Sequence, residues 1–340
     1  LADFPGRTEA DLYLWLMDYR ASLADQTGMD IPLAPVAEDL VQRYSLKPQH
    51  RLERAGKRLL ESVLPEALIS GPPPGIWQQR TRSRLEKTLF ADILLAVDGT
   101  ARGWRTLSWL LNFARTENSE VHGLHVTRRN TAKPEAPGDT VAAQFREMLD
   151  QADVTGDLAT VDGKIADVIL DRARWMDLVV LSLSHPYESD ARSRAGSGLR
   201  TIIRRSPTPV LVIPDIAYRL ERLLLAFDGS PKAREALFVA TYLTGTCQTC
   251  LDILRVAPAT TEPDKATQYA REYIAKYNVE AKFLRERGPV GETILHVAED
   301  RETDLIIMGG YGFGPVAELA LGSALDAVLQ LRRLPVLVCQ

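Results

Sequence analysis

Three glycines and a hydroxyl near the carboxyl end of this 340-residue chain carry the clearest chemistry. Ile306-Ile307-Met308 runs into Gly309-Gly310-Tyr311-Gly312, and nine residues later Gly322-Ser323 opens a segment of helical period from Ala324 to Leu331. The spacing is Gly-x2-Gly-x9-Gly-Ser. Glycines lack a Cβ, so backbone N–H groups can approach a ligand closely. A helix N-terminus adds unbonded donors and partial positive charge, and the combination suits a phosphate. Two other phosphate-binding patterns do not fit. A Walker A loop needs a lysine before the hydroxyl, and none precedes Ser323. A dinucleotide fingerprint running from Gly310 and Gly312 needs a third glycine where Pro315 stands. A glycine turn that merely reverses the chain stays open at this point.

The elements that would position these residues come from an internal repeat, the check that decides a fold of this kind. Leu94-Leu95-Ala96-Val97-Asp98-Gly99-Thr100 recurs as Leu224-Leu225-Ala226-Phe227-Asp228-Gly229-Ser230, with 228 − 98 = 130. Pro209-Val210-Leu211-Val212 recurs as Pro335-Val336-Leu337-Val338, and Gly196-Ser197 as Gly322-Ser323, both with an offset of 126. Two copies of one unit of about 125 residues therefore follow one another. In each copy short β-branched runs alternate with longer segments of helical period. In the second copy strands are predicted near 222–228, 250–256, 279–285, 304–309 and 335–339, with helices near 230–244, 263–277, 290–301 and 317–332. In the first copy strands are predicted near 91–97, 119–126, 156–161, 177–183 and 209–213. Unbroken apolar strands separated by helices imply parallel strands buried on both faces. Right-handed crossovers then wind an open sheet, and ligands bind beyond its carboxyl strand ends at the switch point. The Asp228-Gly229-Ser230 turn and the glycine turn after Met308 fall at two such ends.

The glycine pattern, repeated over about residues 88 to 340, resembles the nucleotide-binding signature of the universal stress protein family. The expected organisation is an α/β chain with an α-helical segment over 1–87 and two tandem doubly wound, five-stranded parallel-sheet (Rossmann-like) domains over 88–216 and 217–340. The resemblance implies that Asp228 contacts a ribose or a metal near the phosphates, and that Val256 meets adenine through its backbone. It implies that Gly309, Gly312, Gly322 and Ser323 hold phosphates, with Ala324 adding its backbone N–H. The implied ligand is ATP, or AMP or ADP, with or without Mg. One departure is that Phe313 follows the second glycine and the loop to Leu321 carries Glu318 and no base, which favours a mono- or diphosphate over a triphosphate.

The copies differ at this site. Counting back from Gly196-Ser197, the positions of Gly309 and Gly312 hold Leu183 and Pro186. Leu183 fills space where a nucleotide backbone would approach, and Pro186 has no N–H to donate. Copy one is thus expected to be a degenerate partner for copy two. The resemblance also implies that the last strands of the two copies meet across a pseudo-two-fold axis, an intramolecular pseudo-dimer, with a homodimer as a further possibility.

Composition bounds the rest. Charged residues at 25% and hydrophobic ones at 45% are ordinary for a soluble globular chain, and the net charge of −4 supplies no basic field for nucleic acid. No apolar run has bilayer length and no signal peptide opens the chain, so membrane insertion is not expected and the expected location is the cytoplasm. Beginning at Leu1, the sequence is compatible with a fragment of a longer protein. Cys247-x-x-Cys250 has redox or half-zinc spacing without a second pair, and reads more simply as small residues at a helix-to-strand turn.

Before the repeat, Leu12, Trp15, Leu16, Tyr19 and Leu23 share a helical face behind a Thr8/Asp11 capping signal. Pro35–Tyr44 and Pro48–Val63 read as further helices, and Gly71-Pro72-Pro73-Pro74-Gly75 as a rigid linker. Arg43, Lys47, Arg51, Arg54, Lys57 and Arg58 form a basic face that reads first as solvated.

Three functions stay in view: an adenine-nucleotide-binding stress-response regulator acting on an unidentified protein partner, a slow ATP hydrolase or phosphate-transfer enzyme, and a scaffold acting through the N-terminal helices. No histidine or arginine finger is placed beside the copy-two loop, so no catalytic residue is assigned and any hydrolysis is expected to be slow.

Overall fold

The computed structural model describes residues 16–17, 19–20, 23, 32–44, 88–127, 138–182, 198–214, 219–257, 264–311, 324–331 and 334–340. The chain divides into two compact units, Leu1–Ile69 and Ser70–Gln340. In the first, α1 spans Leu33–Tyr44, and Leu16, Met17, Tyr19, Arg20 and Leu23 are also helical. Val36 and Leu40 are buried on one face of α1, and the Tyr19 hydroxyl donates to the buried Asp39. The helix expected over 48–63, the basic face beyond Arg43 and the linker at 71–75 lie outside the described residues.

The second unit carries both repeats. In chain order it runs β1 (Asp92–Ala96), α2 (Ala101–Glu117), β2 (Glu120–Thr127), α3 (Gly138–Ala152), β3 (Gly156–Asp162), α4 (Ile165–Ala173), β4 (Leu178–Ser182), α5 (Gly198–Arg205) and β5 (Val210–Ile213). The second copy follows as β6 (Arg222–Ala226), α6 (Pro231–Cys247), β7 (Cys250–Val256), α7 (Lys265–Ala275), β8 (Ala281–Glu286), α8 (Val290–Asp300), β9 (Leu305–Gly309), α9 (Ala324–Leu331) and β10 (Val336–Cys339).

The repeat is visible in how corresponding helices begin and end. Asp98 Oδ1 accepts from Thr100 N at 3.0 Å, and the Thr100 hydroxyl caps α2 by accepting from Gly103 N at 3.2 Å. Asp228 Oδ1 accepts from Ser230 N at 2.8 Å, and the Ser230 hydroxyl caps α6 by accepting from Ala233 N at 3.2 Å. A proline at the first position of α6 gives up no bonded N–H. Asn118 and Gln248 close the two helices in the left-handed region, at φ 55° and 53°.

Each half forms a five-stranded parallel arrangement, and the halves join into one ten-stranded sheet of order β3-β2-β1-β4-β5-β10-β9-β6-β7-β8. The central strands β4, β5, β9 and β10 are apolar and almost wholly buried, as strands covered on both faces must be. The last strands meet as expected. β10 pairs antiparallel with β5, setting Val336 opposite Val212, Leu337 opposite Leu211 and Val338 opposite Val210. Leu337 and Leu211 are equivalent positions, 126 apart, so the pseudo-two-fold axis passes beside this pair. The pairing closes two bare sheet edges against each other. On one face a single buried cluster draws on both halves, from Leu107 and Leu110 of α2 to Leu237 and Leu243 of α6. Glu117 at the end of α2 accepts from the Tyr242 hydroxyl of α6 at 2.8 Å, and burial raises its pKa despite that bond. Among the described residues, no helix is long and apolar enough to cross a membrane.

Candidate functional site

In the second half, β6 is flanked by β7 on one side and β9 on the other, and β9 leads on to β10. The strand order therefore reverses between β6 and β9, which are parallel neighbours with Ala226 opposite Met308. In such sheets the crevice beyond the carboxyl ends at an order reversal is the place that takes ligands. Asp228, exposed, follows β6 on one lip, and Gly309 ends β9 on the other. Val256 ends β7 one strand further out and is half-buried. Ala324 begins α9. Gly312, Gly322 and Ser323 lie outside the described residues, as do Leu183, Pro186, Gly196 and Ser197 of the first copy.

Gly309 sits in tight space. A Cβ built there would sit 3.0 Å from Ala233 N and from Lys232 Cβ, and 3.1 Å from Lys232 C. The first turn of α6 therefore lies directly against the end of β9, bringing the positive end of a helix to the crevice. Gly229 answers a different need. Its φ is +84°, in the left-handed region, and an added Cβ would lie 2.8 Å from Ala266 Cβ. The turn after β6 thus packs against the start of α7.

Charged side chains fix that contact. Arg234 Nε donates to Gly229 O at 3.2 Å, and its guanidinium lies 4.6 Å from the Tyr269 ring centre of α7. Asp264 caps α7, accepting from Ala266 N at 3.1 Å and Thr267 N at 3.4 Å, with Arg255 Nε 3.5 Å away. Burial alone would raise the Asp264 pKa, but the Thr267 hydrogen bonds and Arg255 together hold it below the ordinary value.

Two points amend the sequence reading. Asp228 already bonds a turn N–H through one carboxylate oxygen, so it shapes the lip as well as facing the crevice. Two basic residues also come near these positions: the Cβ and carbonyl carbon of Lys232 lie against Gly309, and Arg255, which faces Asp264, precedes Val256. A search confined to the loop between 313 and 321 misses both, since they come from α6 and β7.

Other reactive groups lie apart. An open cavity of about 400 Å³, lined by Phe238, Thr241, Tyr242, Tyr273 and Tyr277, is built on the later turns of α6 and contains none of the expected site residues. All three cysteines are free. Burial, followed by the nearby Glu117 charge, pushes the Cys247 thiol up to about 11, the reverse of an activated thiolate.

The amino-terminal parts of the first-half strands hold a cluster that sequence reasoning did not find. His122 is buried, with Nδ1 2.8 Å from Asp157 Oδ1 and Nε2 3.3 Å from Asp92 Oδ1. Donor atoms of Asp92, Glu120 and His122 fall within 4.8 Å of one another, a metal-like grouping. Because carboxylates engage both ring nitrogens, the cluster reads as an ion-pair ladder across three strands. Burial by itself would lower the His122 pKa, yet the bonds to Asp157 and Asp92 raise it to about 9. A pKa raised in the folded state adds stability that is complete below about 6.5 and is lost as pH climbs through about 9. Wild-type protein is therefore expected to lose of the order of 2 kcal/mol more than His122→Gln between pH 6 and pH 10 in urea titrations, a figure reduced because Asp157 is partly exposed. Equal pH dependence in both proteins would show that the ladder contributes nothing. In the second half the pattern is inverted, with Asp252 opposite Lys282 and bonded to Arg301 Nε at 2.6 Å.

Comparison with known proteins gives a consistent result. The profile of the universal stress protein family matches residues 90–214 and again residues 219–340. A universal stress protein from Synechocystis is 26% identical over 202 residues, 58% of this chain and 70% of its own length. Another, from Bacillus subtilis, is 29% identical over 143 residues, 34% of this chain and 97% of its own. Among solved structures, a universal stress protein from Archaeoglobus fulgidus shares the fold with a TM-score of 0.62 at 20% identity, covering 74% of this chain and 97% of that one.

Proposed function

The chain belongs to the universal stress protein family, and from that premise we propose that it is a tandem regulatory member that binds one adenine nucleotide, in a second domain spanning 217–340. The domain spanning 88–216 serves as its pseudo-symmetric partner. The observation that carries this reading is Gly309, where an added Cβ would stand only 3.0 Å from the first turn of α6 as it meets β9 at the switch point. A phosphate placed there meets the positive end of α6 and the start of α9. Gly312, Gly322 and Ser323, on the sequence pattern, complete the cradle, and Ala324 adds its N–H.

Asp228 supplies a carboxylate to the ribose side, where Mg could also be held, and the Val256 backbone borders the adenine. AMP, ADP and ATP are all candidate ligands, and the loop from 313 to 321, which carries no base, favours the forms with fewer phosphates. In the first domain, Leu183 and Pro186 remove the corresponding space and donor. Regulation of a protein partner, in the cytoplasm, is the action proposed for this binding site, the loop sequence holding no histidine; three free cysteines support that compartment. Mass spectrometry of small molecules released from denatured protein tests the proposal. An adenine nucleotide at about one per chain is expected. A protein that releases none, and that gives no heat with AMP, ADP or ATP, would leave the scaffold reading.

A further inference from the structure

The residue enclosed by the loop glycines, Tyr311, points away from a role in solvent. It is 5% exposed, and its hydroxyl donates to Asp326 Oδ1 at 2.8 Å. Asp326 belongs to the first turn of α9, the helix that opens at Ala324. This one bond therefore braces both pieces of the phosphate cradle, the end of β9 and the start of α9. The brace is held from the other domain. The guanidinium carbons of Arg200 and Arg204, both on α5, lie 4.7 and 4.6 Å from the Tyr311 ring centre. Arg200 Nη1 donates to Asp326 Oδ2 at 3.2 Å. All four side chains are buried. Two further bonds seat the same region: Gly310 N donates to Cys339 O at 2.7 Å, and Gln340 Nε2 donates to Ile203 O of α5 at 2.5 Å.

The contact is also asymmetric in a telling way. Arg200 and Asp326 are equivalent positions of the two repeats, 326 − 200 = 126, and they face each other beside the pseudo-two-fold axis. Pairing either domain with itself would oppose two buried arginines or two buried aspartates, which is strongly unfavourable. The cluster works only between unlike domains.

The geometry points to a task for the first domain: Arg200 and Arg204 are positioning residues that clamp the Tyr311–Asp326 brace and so set the phosphate affinity of the second domain. The inference rests on the nucleotide reading above and deepens it, since it gives the domain with the degenerate cradle a place in the site of the other. The effect should fall on the phosphate and spare the nucleoside, because the brace joins cradle elements and not the strand end at Val256.

The test compares AMP with adenosine on the intact chain, in wild type, Arg204→Met, Arg204→Lys and Tyr311→Phe. Arg204→Met and Tyr311→Phe are expected to weaken AMP about tenfold, the equivalent of one lost interaction, and to leave adenosine unchanged. Arg204→Lys should recover most of the AMP affinity, since it keeps the cation over the ring. Amide exchange at Gly310 and Tyr311 should quicken in Arg204→Met even without ligand. AMP affinity unchanged in both variants, or AMP and adenosine weakened alike, would overturn the inference. A wild-type chain that binds no AMP would instead remove the nucleotide reading, and this inference with it.

Discussion

Asp326→Ala is expected to destabilise the folded chain by about 3–5 kcal/mol, the range found when one partner of a buried ion pair is removed. The side chains of Arg200 and Asp326 are 3% and 5% exposed, and their charged atoms approach to 3.2 Å. Truncation takes from Arg200 the carboxylate it faces and from Tyr311 the acceptor of its hydroxyl. A cation left in low dielectric without that carboxylate accounts for most of the loss. The double variant Arg200→Met with Asp326→Leu removes both charges at similar volume and is expected to lie within about 1–2 kcal/mol of wild type, because replacing a whole pair by apolar groups is often nearly neutral. Equilibrium urea unfolding of the three proteins checks this. An Asp326→Ala loss below about 1 kcal/mol would show that the domains are held by the strand pair and apolar cluster alone.

Gly309→Val carries the second large effect, and it bears on binding. Its Cβ would stand 3.0 Å from Ala233 N, a backbone atom of a capped helix turn that cannot rotate aside. Either α6 withdraws or β9 bends, and overpacking of this kind typically costs about 1–3 kcal/mol. Displacing the first turn of α6 moves the helix end at which the phosphate is proposed to sit, so nucleotide affinity should fall by roughly a hundredfold or more. Gly245 provides the control. It lies near the end of α6 with nothing within 4 Å of an added Cβ. Gly245→Ala should therefore leave binding unchanged and add up to about 1 kcal/mol of stability. Nucleotide affinity retained in Gly309→Val would remove that glycine from the site.

Much of this architecture could be read before any coordinates. The sequence pattern places every strand of both halves to within a few residues, most plainly for the inner strands, where burial on both faces leaves apolar runs. Asp228, Val256 and Gly309 converge at strand ends because those strands adjoin, and Asp228 and Gly309 flank the order reversal. The remainder was hidden for physical reasons. Tyr311 looks like an exposed loop residue until α5 is laid over it by the β5–β10 pairing. The match of Arg200 to Asp326 was present in the 126 offset, but opposite charges at one position mean nothing until the axis is known to pass between them. The first turn of α6, at Lys232 and Ala233, packs against Gly309 from 77 positions earlier, 309 − 232, outside any motif window. His122 sits in a strand of mostly apolar neighbours, and its two aspartates come from strands 30 and 35 positions away.

Calorimetric titration of the intact chain with AMP and with ATP separates one nucleotide in the second domain from two. About one site is expected in wild type and no detectable site in Gly309→Val. Two equal sites in wild type, or one site surviving in Gly309→Val, would rule out a nucleotide held by the second domain alone.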